Sequence, residues 1–96
     1  MLLNEPTSAH LADLFSALSD PTRLRIISVL LEGEMNVGEI AAQLAMTESA
    51  VSHQLRGLRQ MKLVRSRKMG RQVFYALDDD HVTELYRMGL DHVEHG

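Results

Sequence analysis

The hydrophobic spacing of this chain changes period near residue 60, and that change limits the fold more than any other feature. Up to Gln60, apolar residues recur three and four apart, the spacing of helices. Beyond it, Val64-Arg65-Ser66-Arg67 and Val73-Phe74-Tyr75-Ala76-Leu77 read as two strands. Met69-Gly70 lies between them, in a basic loop from Arg67 to Arg71, so the strands form a β-hairpin. A helical stripe returns at Val82, Leu85, Met88 or Gly89, and Val93, in a last helix over about residues 79–94.

Four helices precede the hairpin. Leu11, Leu14, Phe15 and Leu18 mark the first, with Thr7 or Ser8 as its cap. Asp20-Pro21 starts the second, with Asp20 as N-cap and Pro21 in the first helical position. Leu24, Ile27 and Leu31 are its expected buried face, and Gly33 suits its C-terminal end. Val37, Ile40, Ala41 and Leu44 define a short third helix. After the tight connection Ala45-Met46-Thr47, a fourth runs to about Gln60 and buries Val51, Leu55 and Leu58. Two short helices on a three-residue turn, followed by a basic hairpin, make a winged helix-turn-helix, mainly α with a β-hairpin.

Ninety-six residues make a single domain, 1–96. A chain this short buries a modest fraction of its surface, and many such domains gain stability by dimerising. No apolar run approaches the roughly 18 residues of a membrane span. The N-terminus lacks the basic and apolar regions of a signal peptide, which places the protein in the cytoplasm with no membrane partner. Cysteine is absent, so disulfides and thiolate ligands are excluded, and any metal site must use His, Asp and Glu.

The net charge of −3 conceals an asymmetry. Between Arg56 and Arg71 there are seven basic residues and no acid, flanked by acidic ends. Such a stretch is either a solvated face or the electrostatic footprint of nucleic acid. In a winged helix-turn-helix, the second helix of the pair presents its N-terminal polar residues to the major groove. Ser52 and His53 are the expected base-edge contacts, because both donate and accept hydrogen bonds. Thr47 lies at the start of this face. Ser49, Gln54, Arg56 and Arg59 suit phosphates or positioning, and Lys68 and Arg71 reach flanking DNA from the hairpin tip. The competing reading is a winged helix used for protein contacts, against which the basic run argues.

Three of the five histidines fall in the last sixteen residues and, with Asp79, form two pairs, Asp79-x-His81 and His92-x-x-His95. His92 and His95 are neighbours on one helix face. His81 and His92 are eleven residues apart, close to three helical turns, so the pairs share a face. They are also about 16 Å apart along the axis, too far for one chain to close a four-ligand site with bonds of about 2 Å. Two such helices packed antiparallel bring the start of one beside the end of the other, and a twofold axis makes two shared sites. The triplet Asp78, Asp79 and Asp80 has a second use, as carboxylates at the positive end of the helix dipole.

The segments Leu18-Ser19-Asp20-Pro21-Thr22-Arg23-Leu24, Val37-Gly38-Glu39-Ile40-Ala41, Ser49-Ala50-Val51-Ser52-His53-Gln54-Leu55 and Gly70-Arg71-Gln72-Val73-Phe74-Tyr75-Ala76-Leu77 resemble the ArsR/SmtB family of bacterial metalloregulators. The resemblance covers about residues 7–95. It implies a homodimer, joined through its N- and C-terminal helices, that represses its operator when metal-free and releases it when metal binds. It places Asp79, His81, His92 and His95 on the four ligands of the interhelical site of zinc-sensing members. The family's other site uses a cysteine motif; here that stretch is Glu34-Met35-Asn36-Val37-Gly38-Glu39, without cysteine. The resemblance also implies that the second ring nitrogen of His92 donates to a backbone carbonyl near Lys62, linking metal to the reading helix.

One carboxylate and three imidazoles suit tetrahedral zinc, or cobalt as its mimic. Nickel prefers more ligands, and His10 is the only spare histidine near the N-terminus, so zinc is favoured over nickel and cobalt. The alternatives are a repressor sensing nickel, cobalt or a non-metal inducer, an enzyme, and a metal buffer. Catalysis lacks support: no His-Glu-x-x-His run and no cysteine nucleophile is present. A buffer does not need the basic helix and hairpin.

Overall fold

The computed structural model describes all 96 residues. The elements run α1 (Glu5–Ala17), α2 (Pro21–Leu30), β1 (Met35–Asn36), α3 (Val37–Leu44), α4 (Glu48–Gln60), β2 (Val64–Met69), β3 (Gln72–Leu77) and α5 (Asp80–His95). This is the expected winged helix-turn-helix.

The helix pair is defined by its caps. Asn36 and Glu39 form a reciprocal capping box at the start of α3, each side chain accepting from the other's backbone N–H, at 2.8 and 3.0 Å. The helix ends on Ala45, which is left-handed at φ 54. Two residues later, the Thr47 hydroxyl accepts from the Ala50 N–H at 3.0 Å and starts α4. At the far end, Lys62 takes φ 59. The N–H of Leu63 then donates to Leu58 at 2.9 Å, and that of Lys62 to Arg59 at 3.0 Å. Those two bonds are a Schellman motif with lysine in the place glycine favours.

The sheet has three antiparallel strands in the order β1-β3-β2. The short β1 was not expected. The hairpin strands extend to Met69 and Gln72, which pair directly. The expected loop from Arg67 to Arg71 therefore shrinks to two residues, Gly70 and Arg71. Gly70 has φ 62, the conformation that glycine supplies at the first central position of a type II′ hairpin turn.

All fourteen buried residues are apolar, and they come mainly from α2, α3 and α4. Ile26, Ile27, Ile40, Val51, Leu55 and Leu58 are fully enclosed. Truncating Leu55 or Leu58 to alanine therefore costs about 2–5 kcal/mol.

Three expectations are corrected. The α1 cap is Asn4, whose side chain accepts from Thr7 N–H at 2.8 Å, so Thr7 and Ser8 lie inside the helix. The cap of α2 is Leu31, and Gly33, at φ 140, lies beyond it. On α2, Ile26, Ile27, Val29 and Leu30 are buried, whereas Leu24 is exposed and Leu31 half-buried. Leu24 instead faces an open groove of about 490 Å³ shared by α1, α2 and α5. That groove also holds Phe15, Leu85, Leu90 and Val93. Along α5 only Val82 is buried, and Met88 and Val93 are 72% and 81% exposed. The apolar stripes of both terminal helices are thus only partly covered by the chain itself: Leu14, Leu18 and Val82 pack on the core, whereas Leu11, Phe15, Met88 and Val93 stay exposed.

Candidate nucleic-acid interface and metal centre

The reading helix α4 buries Val51, Leu55 and Leu58, which turns the opposite face outward. Thr47, Ser49, His53, Arg56 and Arg59 are exposed there or beside it. Ser52 is half-buried on the flank, so of the two expected base-edge contacts His53 is the more accessible. Gln54 is half-buried, and its Oε1 accepts from Nε of Arg23 at 3.0 Å. Lys68 and Arg71 are exposed at the hairpin tip.

Two members of the basic run are used internally. Arg65 Nη1 donates to the Asp78 carbonyl at 2.6 Å, tying the wing to the start of α5. Arg67 grips Glu34: its Nε lies 2.9 Å from Oε2, and its Nη2 contacts Oε1. Hydrogen bonding from Arg67 holds the Glu34 carboxyl below the usual carboxylate range, and the same contact raises Arg67. Arg56, Arg59, Lys62, Lys68 and Arg71 remain without a carboxylate partner, a positive surface on helix and wing.

The four proposed metal ligands occupy the two ends of one unbroken α5. Asp79 is the N-cap, and its Oδ1 accepts from the N–H groups of His81 and Val82 at 2.9 and 3.3 Å. Its Oδ2 lies 3.4 Å from Nδ1 of His81. At the other end, His92 and His95 are in the last turn and exposed, and His95 Nε2 stands 4.0 Å from Asp91. The chain brings Asp79 to His81 and sets His92 near His95 in sequence, and no three such side chains meet at one point. Asp79 and His81 are thus exposed at the start of α5, and His92 and His95 at its end.

Arg23 and Glu34 escaped the sequence reading. Gly57 inside α4 was the available signal for Arg23, because glycine in a helix interior needs a packing reason.

Fold and surface together define a winged helix-turn-helix DNA-binding domain. Residues 20–66 match the family described as bacterial regulatory protein, arsR family. The chain is 51% identical over 85 residues to a transcriptional repressor SmtB homolog from Synechocystis, covering 88% of this chain and 64% of that protein. It is 40% identical over 93 residues to the regulator NmtR of Mycobacterium tuberculosis, covering 97% of this chain and 78% of the relative. The solution structure of apo-NmtR superposes with a TM-score of 0.84 at 38% identity, over 100% of this chain and 81% of the other. Reduced HlyU from Vibrio cholerae superposes with a TM-score of 0.81 at 33% identity, covering 95% of each chain. The chain belongs to the ArsR/SmtB family of bacterial transcriptional regulators. No helix is long and apolar enough to cross a membrane.

Proposed function

We propose that this chain is a metal-responsive repressor that binds operator DNA when metal-free and is released by zinc, with cobalt or nickel as the alternative metals. Its place of work is the cytoplasm, and its partners are double-stranded operator DNA and a second copy of itself. The observation that carries the proposal is the arrangement of α5: a donor pair at each end, beside an apolar stripe that the chain leaves open.

A second copy packed antiparallel on that stripe covers Phe15, Leu85, Met88 and Val93. It also brings Asp79 and His81 of one protomer to His92 and His95 of the other. One carboxylate and three imidazoles suit a closed tetrahedral site, and zinc bound there cross-links two chains through neutral imidazoles and a carboxylate. The Asp79 cap leaves Oδ2 free for this role, which is why its other use at the helix start does not exclude it. Thr47, Ser49, Ser52, His53, Gln54, Arg56 and Arg59 on α4, with Lys68 and Arg71 on the wing, meet the DNA. His92, by its second ring nitrogen, orients toward the backbone near Lys62, a contact of the kind that fixes metal-ligand imidazoles. The names of relatives support the reading: one is called a repressor, and another a cadmium resistance regulatory protein.

HlyU of Vibrio cholerae, 36% identical over 84 residues, is named a transcriptional activator, a name without a metal in it, and the second reading is a winged-helix regulator with a non-metal inducer or none. Thiol oxidation is not open to this chain, which has no cysteine. Zinc binding separates the readings. The first expects one zinc per chain, lost in His95→Ala; the second expects none.

A further inference from the structure

We infer that Arg23 is a positioning residue for the reading helix, and that Gly57 is the gap in α4 that admits it. The inference rests on the DNA-binding reading above and adds residues that reading did not contain.

Three observations converge. Arg23 Nε donates to Gln54 Oε1 at 3.0 Å, joining α2 to α4 across 31 residues of sequence. Gln54 and Gly57 are three residues apart, so they share one edge of the helix. A Cβ built on Gly57 would stand 2.7 Å from Nη2 of Arg23 and 3.3 Å from its Cζ. The guanidinium therefore lies directly against the helix backbone at that point, where any other residue would push it away. Glycine inside a helix is destabilising relative to alanine. In α4 the vacated space is filled by a cation held in place by its neighbour.

The effect of this contact falls on orientation. Arg23 projects from α2, whose Ile26, Ile27, Val29 and Leu30 are buried in the core. The link thus fixes one edge of the reading helix to the rigid part of the molecule. It also fixes Gln54: with Oε1 occupied by Arg23, the amide offers its NH₂ group, a donor suited to a phosphate oxygen. Base readout needs the helix held in one orientation, whereas general attraction to phosphates depends chiefly on charge. Loss of the link should therefore reduce discrimination between sequences more than affinity for DNA as such.

The test uses Arg23→Lys, Gly57→Ala and the double variant. Each keeps the charge of the wild type. Gly57→Ala also raises helix propensity and displaces only the flexible end of Arg23, so the fold should persist. Affinity is measured at fixed salt for a duplex from the chain's own promoter region and for a scrambled duplex, alongside Tm. The expected result is a loss of about tenfold in the ratio of the two affinities in each single variant. Scrambled-duplex affinity should stay within about twofold, and the double variant should be no worse than either single one, because both break one contact. The inference is overturned if either single variant keeps the wild-type ratio within about twofold, or if the two losses multiply. A drop in Tm with equal loss on both duplexes overturns it too, by marking a purely structural role. If the wild type itself does not discriminate, the DNA-reading proposal fails instead.

Discussion

Asp79 divides its carboxylate between two tasks that both involve His81: Oδ1 accepts the backbone N–H of His81 at 2.9 Å, and Oδ2 faces its ring Nδ1 at 3.4 Å. One oxygen starts the helix, and the other stands with an imidazole as half of the proposed metal site. Asparagine caps helices as well as aspartate does, but it lacks the negative charge that favours metal. Asp79→Asn should keep the wild-type Tm and lose tight zinc binding, read by competition with a chromophoric chelator. Asp79→Ala should lose zinc and also about 1 kcal/mol of stability. Equal zinc affinity in Asp79→Asn and wild type would remove this residue from the ligand set.

The uncovered stripe on α5 makes a prediction about assembly. Val93 is 81% exposed in the chain, so aspartate there costs nothing in the core of a monomer. Across a dimer interface it buries a charge without a partner. Sedimentation should show Val93→Asp shifted toward monomer at concentrations where the wild type is dimeric, and zinc affinity should fall with it. An unchanged dimer would show that α5 packs elsewhere.

Lys62 holds a left-handed conformation at φ 59, one that a Cβ disfavours. Lys62→Gly should raise stability by about 0.5–1 kcal/mol, the relief at φ being partly offset by greater freedom in the unfolded chain. Chemical denaturation measures this directly. A loss of stability would mean that the lysine side chain contributes something the Schellman motif does not require.

Glu34 and Arg67 brace the wing, and their bond depends on pH. Arg67 lowers the Glu34 pKa in the folded state, so the brace is complete above the ordinary carboxylate range and is lost as pH falls through the depressed value. The pair is exposed, and its contribution to global stability is small. Hydrogen-exchange protection of residues 67–72, corrected for intrinsic rates, should fall on acidification in the wild type. In Glu34→Gln it should be low throughout and insensitive to pH. The same pH response in both proteins would assign it to another group.

What the sequence disclosed, and what it hid, follows from the range of each interaction. The Ala45–Thr47 turn, the Asp20 and Thr47 caps and the Val51-Leu55-Leu58 face depend on residues a few positions apart, and they stand as read. The strand β1 is two residues long and shows no period. The spacing points Leu24 and Leu31 to the core, because a helical stripe marks a face without saying what covers it. On this chain, Leu24 lines the groove between α1, α2 and α5. The spacing of His81 and His92 was legible for the same reason that the helices were. The Arg23–Gln54 and Arg67–Glu34 contacts join residues more than thirty apart; Gly57 signals that something packs against α4, but no local pattern names the partner.

Zinc titrated into the protein bound to a labelled duplex from its own promoter region, at fixed salt, tests the central claim most directly. The expected result is release of the duplex with an end point at one zinc per chain, together with a matching loss of zinc affinity on the DNA-bound protein, since the coupling is reciprocal. Operator affinity that is unchanged or increased at saturating zinc would contradict a zinc-released repressor.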